Sequence, residues 1–263
     1  MKLGIAYNAF DALELLEASI DTVRPLADFI VVIYQEVSNF GEPLSQRDRS
    51  FLDALRQSGK VDLFYEYEPT VGRGGHMNEL AKRNLGKNLC KNEHCTHHMT
   101  MDVDELYVTE KLKYAIDQMA TGNWDASACQ MQTYWKSPSF VLDPPEEYYV
   151  PLIYTIDDRM FDLRNRWGIP TDPTRRLTSN RIRIFERHEI QMHHLSYVRL
   201  DIGTKLRNSS ASSNFSKKID RIIAHFNQWE PGQQAYLAGI EERWHNVKVV
   251  DPLFNIANLN ETK

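Results

Sequence analysis

The sequence has few cysteines and no long hydrophobic run. Three cysteines in 263 residues, an odd number, do not predict a disulfide framework. No apolar run approaches the ~20 residues needed to cross a bilayer, and residues 1–8 follow a strand pattern rather than that of a secretory leader. There is no internal repeat or low-complexity linker. We therefore expect a cytoplasmic protein without a membrane span, folded as one domain over residues 1–263.

Charge is nearly balanced overall but unevenly distributed. The net charge is −5, and 42% hydrophobic with 25% charged residues is typical of a globular protein. Eight arginines lie between Arg159 and Arg187, whereas the first half of the chain is acidic. The basic region is either a solvated face or a surface for the phosphates of a nucleotide or a nucleic acid.

Strand and helix patterns alternate through the first hundred residues. Apolar runs predict strands at residues 2–8, 29–34, 61–65 and 96–102, and helical spacing predicts helices at residues 13–23, 47–57 and 77–90. Asp11 is the expected N-cap of the first helix. This alternation predicts an α/β fold with a Rossmann-like, mostly parallel sheet flanked by helices.

The second half of the chain has a different pattern. Its predicted strands are separated by breaker-rich stretches, which indicates a smaller antiparallel region. We expect a helix at 110–119, strands at 125–135 and 148–156, a loop at 137–146, a hairpin of strands at 181–185 and 189–194, and helices at 215–228 and 232–243. The domain then consists of residues 1–108 and a second half, 109–263.

Polar side chains follow the predicted parallel strands. Tyr7 and Asn8 end the first strand, Glu36 follows the second, and Asp102 and Asp104 follow the fourth. In open α/β sheets, ligands bind beyond the carboxyl ends of the strands. Alternate residues of an extended strand share a face, so two carboxylates two positions apart form a ready pair of ligands for a hard divalent cation.

These features resemble the GT-A-fold glycosyltransferases, family-2-like members in particular. The resemblance covers most of residues 1–205 and rests on the opening strand, on the block 78–86 that leads to the Asp-x-Asp motif at 102–104, and on the segment 193–199. It implies a GT-A-like fold with a nucleotide-sugar-binding half and an acceptor half. It also implies a metal-dependent transfer of a sugar from a nucleoside diphosphate, UDP in the first place, to a hydroxyl group.

The resemblance further implies a metal site at the Asp-x-Asp motif. Mn²⁺ or Mg²⁺ bound by Asp102, Asp104 and His194 would neutralise the departing diphosphate as a Lewis acid. Strand register decides whether His194 or His193 faces this site. Asp102 is also a candidate ligand of the ribose.

Donor binding and acceptor activation are assigned to further side chains. The candidate ligands of the diphosphate are Lys82, Arg83, Arg199 and Lys205. Tyr7 is a candidate for stacking on the base. Asn8 and Glu36 are candidates for binding the edge of the base or the ribose. Asp157 and Asp172 are candidate catalytic bases because they lie near the predicted acceptor loops. The acceptor alternatives are a glycan, a small molecule, a protein or a hydroxylated base in DNA. Five aromatic residues suit a sugar face or a flipped base: Tyr134, Trp135, Tyr148, Tyr149 and Trp167.

Two other functions and one other metal remain open. A metal-dependent nucleotidyltransferase could use the same sheet edge, although residues 6–11 lack the glycine-rich loop usual in that class. A non-enzymatic nucleic-acid binder could use the arginine-rich region, in which Arg175 and Arg176 are either surface residues or acceptor ligands. The cysteines and histidines within residues 90–98 suggest zinc, but they straddle a predicted helix–strand junction and no second ligand pair follows at finger spacing.

Overall fold

Four parallel strands form the first half of the sheet. A computed structural model describes residues 1–239 and 242–256. The parallel strands are β1 (Leu3–Ala9), β2 (Phe29–Tyr34), β3 (Leu63–Glu66) and β4 (His97–Asp102). They lie in the order β3-β2-β1-β4. The alternating pattern in the sequence thus predicts the α/β class and the parallel unit correctly.

Helices cover both faces of this unit. They are α1 (Leu13–Val23), α2 (Gln46–Ser58), α3 (Gly75–Asn92) and α4 (Thr109–Thr121). Helices α1, α2 and α4 share a core with Ile5 and Ile30, whereas α3 packs on the opposite face with Ala6 and Val31. No helix of the described residues has both the length and the hydrophobicity of a membrane span.

Close packing of α3 on β1 places its polar side chains at the sheet edge. A Cβ atom on Gly86 would lie 2.5 Å from the Cβ of Ala6, so only glycine permits this approach. Lys82 lies one turn earlier on the same helix face. The start of α1 differs from the prediction, because Ala12 adopts a left-handed conformation before Leu13 and Asp11 does not cap the helix.

Antiparallel strands extend the sheet beyond β4. The remaining elements are β5 (Glu105–Leu106), β6 (Ala126–Trp135), β7 (Ser137–Asp143), β8 (Tyr149–Thr155), β9 (Ile182–Ile184), β10 (Gln191–Tyr197), α5 (Ile202–Asn208), α6 (Ile219–Gln228), β11 (Ala235–Leu237) and β12 (Arg243–Val249). Strand β8 pairs with β4 and β6, β6 pairs with β7, β7 pairs with β12, and β12 pairs with β11. The short strand β5 pairs with β10.

Three local predictions in this half are wrong. Residues 137–143 form β7 rather than a loop, because Val141 and Leu142 are buried against neighbouring strands. Strands β9 and β10 do not form a hairpin, since both run parallel to successive parts of β6. Strands β11 and β12 replace the helix predicted at 232–243, of which residues 240 and 241 lie outside the described residues. Tyr236 stacks on Trp244 across this strand pair, with ring centroids 4.5 Å apart.

Candidate active site

A cavity of about 230 Å³ opens at the carboxyl ends of the parallel strands. Asn8 of β1 and Asp102 of β4 lie side by side in register at its floor. Helix α3 contributes one wall, and residues of β10 and α5 contribute another. Seven of the predicted site residues line the cavity: Asn8, Lys82, Asp102, Asp104, His194, Arg199 and Lys205.

Two buried arginines hold Asp102. Its Oδ2 lies 2.7 Å from Nη2 of Arg175 and 3.2 Å from Nη2 of Arg83. Burial by itself raises the pKa of this carboxyl, but the two guanidinium groups outweigh burial and the net shift is downward. Asp102 is therefore ionised, and its side chain remains 37% exposed toward the cavity.

Arg175 connects this carboxylate to the protein interior. It is 2% exposed, and its Nη1 donates to Oε2 of Glu105 at 3.0 Å. Asp172 begins the short helical turn that carries Arg175 and accepts a hydrogen bond from the backbone N–H of Thr174. The structure thus makes Arg175 a buried support of the site, rather than the surface residue or acceptor ligand that the sequence leaves open.

Asp104 joins the two halves of the chain. Its Oδ2 lies 2.5 Å from Nη2 of Arg199, 3.6 Å from Nε2 of His194 and 3.8 Å from Nζ of Lys205. Burial acts to raise the pKa of the Asp104 carboxyl, but these neighbours lower it well below its usual value. The residues from β10 to α5 are therefore fixed to the sheet edge by a buried, charged hydrogen bond.

The predicted metal ligands do not form a ready coordination set. Among the described residues, no group of three His, Cys, Asp or Glu side chains could hold a metal ion. Asp102 is paired with two arginines, and Asp104 is in contact with Arg199. The residues as arranged do not fit a three-ligand metal site, and the binding of Mn²⁺ or Mg²⁺ here stays a prediction. The cysteines and histidines of the described segment 90–98 likewise form no group that could hold zinc.

Lys82 brings a buried cation to the cavity. Its side-chain ammonium donates to Oε1 of Gln35, whose amide nitrogen donates in turn to Asn39 at 3.3 Å. Burial lowers the pKa of Lys82 to about 8, although the neighbouring Glu79 acts in the opposite direction. Lys82 is therefore mostly protonated at neutral pH, and its pKa lies close to physiological pH.

Asn8 presents an unused hydrogen-bond donor. The residue is 9% exposed and lines the cavity. Its Nδ2 is buried and has no hydrogen-bond partner among the described residues. Because an unsatisfied buried amide is unfavourable, this group is suited to a carbonyl or phosphate oxygen of a ligand.

Several predicted residues lie outside the cavity. Tyr7 faces the α1 core, where its hydroxyl lies 3.0 Å from Oγ of Ser19, and is not available for base stacking. Glu36 is bound by Arg49. Arg83 lies behind Asp102, at 1% exposure, and supports it rather than facing a ligand.

The two candidate bases and the histidine pair can also be placed. Asp157 follows β8, which runs antiparallel to β4, so it lies at the opposite end of β4 from the cavity. Asp172 contacts Arg83 at 3.3 Å and does not line the cavity. His193 is turned away, with its Nδ1 2.9 Å from the hydroxyl of Tyr134, and His194 is the histidine that lines the cavity.

The aromatic residues predicted to face an acceptor lie elsewhere. Of these five residues, none lines this cavity in the described part of the chain.

The arginine-rich segment is largely paired with acids. Five of the eight arginines between residues 159 and 187 form ion pairs: Arg159, Arg164, Arg175, Arg181 and Arg183. The basic region is thus not a continuous free face for nucleic acid.

Some residues of the cavity are not predicted from the sequence. Phe10 and Asp11 follow β1, Asn39 lies in the segment after β2, and Ser210 closes the cavity from the segment after α5. The position of Phe10 and Asp11 directly after a parallel strand is the signal that could identify them. No local pattern indicates Ser210, which is placed by its hydrogen bond to Glu79 of α3.

Comparison with known proteins gives distant structural matches. No protein-family model and no curated protein sequence matches the chain. The crystal structure of S. aureus TarS 1–349 in complex with UDP-GlcNAc matches with a TM-score of 0.46 at 15% identity, covering 87% of this chain and 73% of that chain. The mannosyltransferase PcManGT from Pyrobaculum calidifontis, in complex with GDP-Man and Mn²⁺, matches with a TM-score of 0.35 at 16% identity, covering 49% and 35%.

Proposed function

We propose that the protein is a glycosyltransferase that uses a nucleoside-diphosphate sugar as donor and a hydroxyl group as acceptor. The observation that supports this most is the lining of the cavity at the carboxyl edge of the sheet. Three basic side chains, Lys82, Arg199 and Lys205, line it together with the uncharged amides of Asn8 and Gln35. The cavity is also lined by four acids, each of which has a partner: Asp11, Glu79, Asp102 and Asp104. A diphosphate requires cations, and a nucleobase requires directed hydrogen bonds.

The basic residues would act on the leaving group. In the transfer, the oxygen of an acceptor hydroxyl forms a bond to the anomeric carbon and the hydroxyl proton passes to solvent. The bond from that carbon to the diphosphate breaks, and its electron pair passes to the phosphate oxygen. Arg199 and Lys205 are fixed by Asp104 before the ligand arrives. Preorganised cations of this kind stabilise developing negative charge without reorganising during the reaction.

The nucleobase would be recognised by hydrogen bonds from side-chain amides at the ends of β1 and β2, those of Asn8 and Gln35. The free Nδ2 of Asn8 suits a carbonyl oxygen of a base, such as those of uracil, so UDP is the nucleotide we propose. The acceptor we propose is a sugar or another small hydroxylated molecule rather than a base in DNA, because most arginines of the basic region are paired.

A thermal-shift experiment tests the donor. The protein is heated with UDP, GDP, CDP, ADP or ATP, each with EDTA or with Mn²⁺. A ligand at a hundred times its Kd stabilises the fold by about 2.7 kcal/mol. We expect UDP to raise the midpoint, and Asp104→Ala to abolish the shift. Asp117→Ala, an exposed carboxylate on α4, is the matched control and is expected to retain it.

Each outcome has a distinct meaning. A UDP shift that requires Mn²⁺ would support the predicted metal site on Asp102, Asp104 and His194. A shift with ATP alone would favour nucleotidyl transfer. If no nucleotide shifts the midpoint under any condition, the proposed function is wrong.

A further inference from the structure

A second cavity of about 180 Å³ adjoins the first. The two share a wall formed by Phe10, Asp11 and Asn208. The rest of the second cavity is built by the segment between β2 and α2, by the first turn of α2, and by Thr204 of α5. A molecule bound there would therefore lie next to the contents of the first cavity.

Asp48 lines this cavity and has an unsatisfied carboxylate oxygen. The residue lies in the first turn of α2 and is 4% exposed. Its Oδ2 accepts a hydrogen bond from the hydroxyl of the N-cap residue Ser45, whose oxygen accepts one from the Asp48 N–H. Its Oδ1 is buried and has no partner among the described residues. The capping of α2 therefore uses only half of this carboxylate.

Asn208 presents a second free acceptor in the shared wall. Its Nδ2 donates to Oε2 of Glu42 at 2.9 Å and to the carbonyl of Thr204 at 3.1 Å. Its Oδ1 is buried and, within the described residues, also lacks a partner. Two unsatisfied acceptors on residues that line one cavity suit a ligand that donates hydrogen bonds, as hydroxyl groups do.

The composition of the second cavity excludes a diphosphate and favours a neutral ring. No Lys, Arg or His is among the described residues that line it. Asp11 is paired with Arg199 at 3.6 Å, and Glu42 accepts from Asn208, so these two acids already have partners. Phe10 and Leu44 provide apolar surface for the C–H face of a sugar.

We infer that this second cavity binds the acceptor as a neutral sugar, with one hydroxyl donating to Asp48 and another to Asn208. The inference rests on the proposed function, because the first cavity must hold the donor for the second to serve the acceptor. It assigns acceptor recognition to the β2–α2 segment and α5, and not to the aromatic residues of the second half of the chain.

Saturation-transfer NMR on the protein saturated with UDP tests this inference. The probes are methyl β-D-glucopyranoside, methyl β-D-galactopyranoside, N-acetylglucosamine and glycerol. We expect a signal from at least one sugar and a Kd for it that is about tenfold higher in Asp48→Asn, as for the loss of one charge-assisted hydrogen bond. Asp53→Asn, an exposed carboxylate on the same helix, is the matched control and should leave both sugar and UDP affinities unchanged.

A second variant covers the case in which Asp48→Asn weakens the helix cap. Pro43 is exposed and, of the two cavities, lines only the second, so Pro43→Trp obstructs it and leaves Ser45 and Asp48 unsubstituted. We expect Pro43→Trp to remove the sugar signal and to retain UDP binding.

The outcomes separate the two proposals. Equal sugar signals in wild type, Asp48→Asn and Pro43→Trp, or no signal from any probe, would overturn the acceptor site. A loss of UDP affinity in Asp48→Asn with unchanged folding would assign the second cavity to the donor, which also overturns it. Failure of UDP to bind the wild-type protein would instead count against the proposed function itself.

Discussion

The two adjoining cavities share a wall but differ in their cationic side chains. The first is lined by Lys82, Arg199 and Lys205, whereas no cationic side chain of the described residues lines the second. On the short helix α5, the neighbouring residues Thr204 and Lys205 line different cavities. Under the two proposals above, the cations of the first cavity would bind an anionic donor, and a neutral acceptor would bind in the adjoining cavity.

The largest expected effect comes from removing Arg199, which pairs with Asp104 in the first cavity and with Asp11 in the shared wall. Arg199→Ala leaves Asp104 buried without its 2.5 Å partner and frees Asp11 in the shared wall. Breaking a buried ion pair costs about 3–5 kcal/mol. We expect urea unfolding to show a loss of this size, and UDP binding to disappear. Asp53→Ala serves as the surface comparison, and a similar loss in both variants would contradict the role of Arg199.

A smaller effect is expected at Lys205, which is partly exposed and 3.8 Å from Asp104. Lys205→Gln removes one charge from the first cavity and leaves the core intact. UDP affinity should fall about tenfold, or about 1.4 kcal/mol, measured by calorimetry. The same change at the exposed Lys113 of α4 is the control. An unchanged affinity in Lys205→Gln would show that this cation does not face the diphosphate.

The charge of the first cavity should also depend on pH. Burial lowers the pKa of Lys82 from 10.5 to about 8, so the ammonium is lost as pH rises through about 8. UDP affinity should fall over that range, and Lys82→Met should flatten the profile. Stability should change in the opposite sense, because the unfolded lysine binds more protons between pH 8 and 10.5 and this contribution stabilises the fold with rising pH. A parallel loss of stability and affinity would contradict this account.

The smallest effect is expected from a cation outside both cavities. Arg164 is 89% exposed and pairs with Asp162 on the surface. Arg164→Ala should change the free energy of unfolding by less than about 0.5 kcal/mol and leave UDP affinity unaltered. A clear loss of UDP binding would show that the basic segment contributes to the donor site after all.

The sequence predicted the parallel half of the fold better than the antiparallel half. Parallel strands buried on both faces are near-continuous apolar runs, and β2 and β4 end where their patterns end. The prediction for Asp157 assumed proximity to the site, but β8 runs against β4 and carries Asp157 to the other end of the sheet. The direction of a strand is not encoded in its local pattern.

The face of the sheet on which each side chain lies explains the remaining differences between the predicted and the observed site residues. Tyr7 and Asn8 are neighbours at the end of β1, yet one faces the α1 core and the other the cavity. The same alternation separates His193 from His194. A pattern identifies the strand end, whereas the packing of helices on each face decides which residue is free to meet a ligand.

The sequence by itself determined the alternating α/β order and the residues that converge at the carboxyl edge, because apolar periodicity and strand ends are local properties. Only the tertiary structure decided that Arg83 and Arg175 hold Asp102, that Arg199 holds Asp104, and that Asp48 borders a second cavity. These pairs join residues 19 to 95 positions apart, or segments that meet only after folding. Their energies depend on burial and distance, which no local pattern specifies.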